Sequence, residues 1–119
     1  MGERGGGYRA GMVRDELVRL RAEAAAEADT LRRDLEGLFA ASRDSNADDE
    51  HDPEGATIGF ERAQLTALLH AARERIGEVG EAQLRVDAGT YGICERCAQP
   101  VGAERLAIRP FARHCMSCA

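Results

Sequence analysis

The sequence has no Trp and no Lys, and only two Tyr and three Phe, so aromatics make up 4% of its 119 residues. Aromatic side chains supply much of the buried area of compact cores, and the apolar residues here are mostly Ala, Leu and Val. Such a chain is poorly equipped for a broad globular core, and elongated helix pairing is the expected architecture. Because Lys is absent, all 16 basic residues are Arg, which reads as a compositional bias without functional content. A basic excess is missing too: the net charge is −5, against the pattern of a protein held on nucleic acid by phosphate contacts. No apolar run reaches the length of a bilayer, and Met1-Gly2-Glu3-Arg4-Gly5-Gly6-Gly7 lacks a signal-peptide core. Position 6 is Gly where an acylation pattern requires Ser or Thr, which argues against myristoylation. A cytoplasmic protein with no membrane partner is expected.

What is present is helical periodicity. After a Gly-rich opening over residues 1–11, read as a flexible arm, Leu17, Ala24, Leu31 and Leu38 recur every seven residues. Val13, Leu20, Ala28 and Leu35 fill the three- and four-residue offsets, while Arg14, Arg21, Glu23, Arg32, Arg33 and Glu36 fall mostly outside the stripe. The spacing predicts an amphipathic helix from Val13 to Arg43, ~46 Å long at ~1.5 Å per residue. A second helix holds Ile58, Leu65, Ala72, Val79 and Val86 at one heptad position, flanked by Leu68, Leu69, Ile76 and Ala82. Asp52-Pro53-Glu54 or Thr57 starts it, and Asp87-Ala88-Gly89 ends it, with Gly89 suited to a left-handed cap. Two helices of similar length on a short polar link pack antiparallel. The expected fold is therefore mainly α: a long antiparallel helical hairpin, or coiled coil, over residues 12–89, followed by a small C-terminal module over 90–119. Leu31, Leu35, Leu65, Leu68 and Leu69 are expected in the interhelical seam.

The link, residues 44–56, carries Asp44, Asp48, Asp49, Glu50, Asp52 and Glu54 and no Arg. Carboxylates crowded at the end of a rod can reach into a basic channel or perturb a bound Mg2+; a solvated turn is the plain alternative.

Beyond Gly89 the helical period stops. Cys94-Glu95-Arg96-Cys97 and Cys115-Met116-Ser117-Cys118 are two Cys-x2-Cys pairs separated by 17 residues. Each short spacing lets two thiolates face one ion, and the long spacer lets the second pair complete a tetrahedron. Four soft sulfur ligands favour one structural Zn2+ through Cys94, Cys97, Cys115 and Cys118, with no open position for water or substrate; an iron site of similar geometry is the minor alternative. A thioredoxin-like pair would need a βαβ setting that the pattern lacks. Arg96, Arg105, Arg109 and Arg113 exceed Glu95 and Glu104 within residues 91–119, an excess that helps neutralise a zinc tetrathiolate of charge −2.

The run Gly89-Thr90-Tyr91-Gly92-Ile93-Cys94-Glu95-Arg96-Cys97, followed by Val101, Arg105-Leu106, Ala107, Pro110 and Cys115-Met116-Ser117-Cys118, resembles the DksA/TraR family of bacterial transcription regulators. The resemblance covers about the last thirty residues in motif and most of the chain in architecture. It implies a non-enzymatic factor that binds RNA polymerase, inserts its coiled-coil tip through the secondary channel and alters initiation, often with the alarmone ppGpp at a joint site. On that reading Asp48, Asp49, Glu50 and Asp52 are the polymerase-contact tip. Three departures stand out: Glu54 replaces the Ala of the family's Asp-x-x-Asp-x-Ala tip, Ala98 replaces a frequent Gly, and Ala119 falls where the family continues into a further helix. The competing classes are a DNA-binding zinc module, with Arg96, Arg105, Arg109 and Arg113 on phosphates, and a structural coiled-coil adaptor. An enzyme is not expected, since no nucleophile, catalytic base or open metal site stands out.

Overall fold

A computed structural model describes residues 10–44 and 53–119, with the side chains of 42–44 and 53–54 left out. Three helices follow in order: α1 Ala10–Asp44, α2 Pro53–Ala88 and the short α3 Ala103–Ile108. No strand is present among the described residues; Ile93 and Pro100 form an isolated antiparallel bridge. The architecture is the expected helical hairpin with a C-terminal module. The start of α1 differs from the sequence reading: it is Ala10, three residues before Val13. α2 starts at Pro53, the earlier of its two expected starts, where a missing N–H costs nothing in a first turn. α2 ends as its sequence predicts. Gly89 takes φ +80°, its N–H donates to the Val86 carbonyl at 3.2 Å, and the Thr90 N–H donates to the Arg85 carbonyl at 2.9 Å. That pair of bonds closes the last turn around a residue without a Cβ.

The described chain divides into two compact units, one of residues 23–75 and one of residues 1–22 with 76–119. In the first, antiparallel pairing shows in the cross-helix partners: Arg75 lies 3.8 Å from Glu27, and Arg62 stands 5.5 Å over the ring of Phe39. Its buried residues are Ala24, Ala28, Leu31 and Leu35 from α1 with Leu69 and Ala72 from α2. All six belong to the predicted stripes. Leu38, Ile58 and Leu65 are half-buried, and Leu68 is 46% exposed, which corrects its expected place in the seam. The reason is angular: a helix turns ~100° per residue, so one position away from Leu69 puts Leu68 beyond the edge of the contact. The outer face of α1 is laced by Arg32 with Asp29 and Glu36, and by Arg33 with Asp29. The hydrogen bond from Arg32, with Arg33 nearby, holds the Asp29 carboxyl below its usual range. Exposed pairs of this kind contribute only a few tenths of a kcal/mol each.

In the other unit Arg14 pairs with Asp87 at 3.1 Å and Arg21 donates to the Gln83 side chain at 3.3 Å, again antiparallel. The core here is Leu17, Val79, Ala82, Val86 and Tyr91, with Val13, Leu20, Leu106 and Phe111 against it. Leu106, from α3, also packs on the module's own small core of Cys94, Val101, Ala112 and Cys115. One side chain thus joins the helix pair to the module. No helix among the described residues is long and apolar enough to cross a membrane.

Candidate metal centre

The first cysteine pair sits on a tight loop drawn by backbone bonds. The Ala98 N–H donates to the Cys94 carbonyl at 2.9 Å, the Cys94 N–H to Gln99 at 2.8 Å, and the Val101 N–H to Gly92 at 2.8 Å. Closing this loop requires a left-handed residue directly after Cys97, and Ala98 adopts φ +64° to supply it. Gly takes this conformation without the steric cost that a Cβ brings. The second pair lies on its own turn, with Cys118 N–H donating to the Cys115 carbonyl at 3.1 Å. A bond from Glu95 N–H to the Arg113 carbonyl at 2.9 Å ties the two loops together.

The result is convergence of all four sulfurs. The Sγ atoms of Cys94, Cys97, Cys115 and Cys118 lie within 4.8 Å of one another, and those of Cys97 and Cys115 are 3.7 Å apart. The edge of a tetrahedron with ~2.3 Å Zn–S bonds is ~3.8 Å, so the spacing suits a bound zinc and is far too long for a disulfide. None of the four is in a disulfide.

The thiols differ in how readily they ionise. Burial pushes Cys94 up, but hydrogen bonds from backbone N–H groups at residues 115, 97 and 96 outweigh it and bring the thiol down to about 6. The 3.4 Å contact from Arg96 N–H to the Cys94 sulfur is one of these. Burial and the three neighbouring sulfurs push Cys118 up to about 12. At Cys97 a backbone hydrogen bond from residue 99 lowers the thiol, but burial with Cys94 and Cys115 outweighs it and the net direction is up. One sulfur is ready to ionise first, and the crowding of the rest is relieved by a cation.

Around the sulfurs, Arg105, Arg109 and Arg113, which the sequence presents as charge, act with Arg85 and Tyr91 as structural fasteners. Arg105 Nε donates to the His114 carbonyl at 2.8 Å, and its terminal nitrogen lies 3.3 Å from the Met116 sulfur. The Arg85 side chain, 11% exposed, donates to the Phe111 carbonyl at 3.2 Å and lies 3.5 Å from Glu95. The buried Tyr91 hydroxyl donates to the Pro110 carbonyl at 2.7 Å. Arg109 stacks over Phe111 and Arg113 stands 4.0 Å from Glu81. Nothing in the local sequence signals these partners, most of which are nine to 32 residues away. Asp48, Asp49, Glu50 and Asp52, the expected tip contacts, lie outside the described residues.

Comparison with known proteins agrees with this geometry. Residues 89–119 match the prokaryotic dksA/traR C4-type zinc finger. The chain is 42% identical over 57 residues to the RNA polymerase-binding transcription factor DksA of Caulobacter vibrioides, an alignment covering 48% of this chain and 40% of that protein. It is 35% identical over 69 residues to general stress protein 16O of Bacillus subtilis, covering 58% and 42% respectively. The chain therefore spans less than half the length of these curated relatives. Among solved structures, that of transcription factor DksA2 from Pseudomonas aeruginosa superposes with a TM-score of 0.74 at 27% identity, over 92% of this chain and 78% of that one. Cysteine motif and four-sulfur geometry together identify residues 89–119 as a dksA/traR C4-type zinc finger suited to one structural zinc, in a chain whose helical fold is similar to that of DksA2.

Proposed function

We propose that this protein is a non-enzymatic cytoplasmic regulator that binds bacterial RNA polymerase and alters initiation. The observation that carries the reading is fold similarity to DksA2 over 92% of the chain, well beyond the zinc module. Caulobacter DksA, a relative over 48% of the chain, is named for polymerase binding. In this reading Cys94, Cys97, Cys115 and Cys118 hold Zn2+, which cross-links two loops that lack an extensive core. Arg85, Arg105 and Tyr91 fix the backbone between the cysteine pairs, so the module keeps one shape against the end of α2.

The acid-rich stretch 44–56, between the two long helices in sequence, is the working end. Asp48, Asp49, Glu50 and Asp52 enter the secondary channel, where carboxylates can pair with basic side chains or perturb a catalytic Mg2+. ppGpp joins at a shared site with the polymerase. Sequence-specific DNA binding is not part of this reading, because Arg105 is committed to the His114 carbonyl and Arg109 to the Phe111 ring. The test is capture of purified core polymerase by the zinc-loaded chain, with an in vitro initiation assay on the same preparation. Binding accompanied by altered initiation supports the proposal; absence of binding removes it.

A further inference from the structure

The second cysteine pair has a thioether beside its thiols. Met116 directly follows Cys115 and is 73% exposed. It borders an open hollow of about 270 Å³ that is lined also by Glu104, Arg105, Ile108 and Arg109. Arg105 is held there at two points: its Nε donates to the His114 carbonyl at 2.8 Å, and a terminal nitrogen donates to the Met116 Sδ at 3.3 Å. The first bond anchors the guanidinium on backbone next to Cys115, so the second sets a cation against a soft, oxidisable atom. A guanidinium has five N–H groups, of which these contacts use two. The sulfur keeps a lone pair of its own. A donor and a nucleophilic lone pair therefore stand side by side at an open surface.

We propose that Met116 is a peroxide-modification site, a thioether that accepts one oxygen atom with Arg105 as the assisting donor. The free lone pair attacks one peroxide oxygen, and the S–O bond forms as the O–O bond breaks. Sulfur loses two electrons and the peroxide gains them. The departing oxygen carries off negative charge and takes up the proton that the transferred oxygen sheds, so the products are methionine sulfoxide and water. An N–H of Arg105 receives that developing charge. Its bond to sulfur makes the attacking lone pair less nucleophilic, but a thioether is a weak acceptor and a charge-assisted bond to the leaving oxygen is stronger. The product suits the same place. A sulfoxide oxygen accepts better than a thioether, so Arg105 keeps a partner here while staying on His114. Oxidation thus makes the surface beside Ile108, itself 82% exposed, polar, and leaves the clasp over the second cysteine pair closed.

The test has an internal reference in Met12, 66% exposed on α1. The full zinc-loaded chain is treated with hydrogen peroxide to low conversion, and peptide mass spectrometry counts sulfoxide at both positions in the fraction that keeps zinc and four reduced cysteines. Met116 should oxidise roughly threefold or more faster than Met12, a modest share of what a buried donor achieves at a developing charge. In urea the two rates should converge, because the contact with Arg105 is gone. Arg105→Gln should bring the native ratio towards one, and Arg105→Lys, which keeps a cationic donor, should restore part of the excess. Where Arg105→Gln fails to retain zinc, the wild-type comparison of native and urea-treated chain decides alone. Equal native rates at Met116 and Met12, or an excess that survives in zinc-loaded Arg105→Gln, would overturn the inference. Chelator competition on the chain oxidised at Met116 should show unchanged zinc affinity; a loss there would overturn it as well.

Discussion

Replacing Ala98 by Gly should tighten the module's hold on its metal. Ala98 sits at φ +64°, a conformation that costs an L-residue with a Cβ roughly 1–2 kcal/mol. Its side chain is exposed, so removing the methyl group gives up little packing. The bond from its N–H to the Cys94 carbonyl, 2.9 Å, needs no side chain. Against the relief stands the greater freedom of Gly in the unfolded loop, about 0.4–1 kcal/mol. The difference is about 0.5–1 kcal/mol in favour of Gly. Zinc binding and folding of a small module are one process, so the gain should be seen as zinc affinity some two- to fivefold higher. Competition with a chromophoric chelator measures this directly. Ala98→Val, with a β-branched side chain at the same left-handed position, should lose zinc more easily than wild type. Equal retention by all three proteins would refute the strain argument.

Other perturbations separate seam, site and tip. Leu31→Ala should lower stability by about 2–4 kcal/mol in denaturant melts, whereas Leu68→Ala, outside the seam, should cost well under 1 kcal/mol. Cys118→Ser should reduce zinc content and unravel residues 91–119 while circular dichroism retains most of the hairpin signal. Zinc affinity should fall as pH falls, because Cys97 and Cys118, both raised, release protons when the metal binds; a pH-independent affinity in chelator titrations would contradict this. Asp49→Asn with Asp52→Asn should leave most polymerase affinity and remove the effect on initiation, measured on one preparation.

Periodicity and spacing carried much of this fold in the sequence. Leu17, Leu31 and Val79 announce their burial by heptad position, and Gly89 announces the helix end, because those choices are set by geometry within a few residues. The four cysteines are similarly self-declaring. Leu68 was misplaced because a heptad stripe has a centre but no visible edge; its width depends on how closely the partner helix approaches. The roles of Arg85 and Arg105 were hidden for a different reason: a guanidinium seeking backbone carbonyls leaves no mark on the residues whose carbonyls it meets. Ala98 is intermediate. The resemblance marks its place as one where Gly is frequent, but the left-handed conformation that makes Ala costly there is a property of the closed loop.

The most direct test of the polymerase reading is a binding titration of the zinc-loaded chain against purified RNA polymerase core enzyme, with bare duplex DNA titrated in parallel at the same salt. Saturable binding to the polymerase, lost on removal of zinc, with no comparable affinity for DNA, is the predicted result. Binding to DNA without binding to polymerase would contradict it.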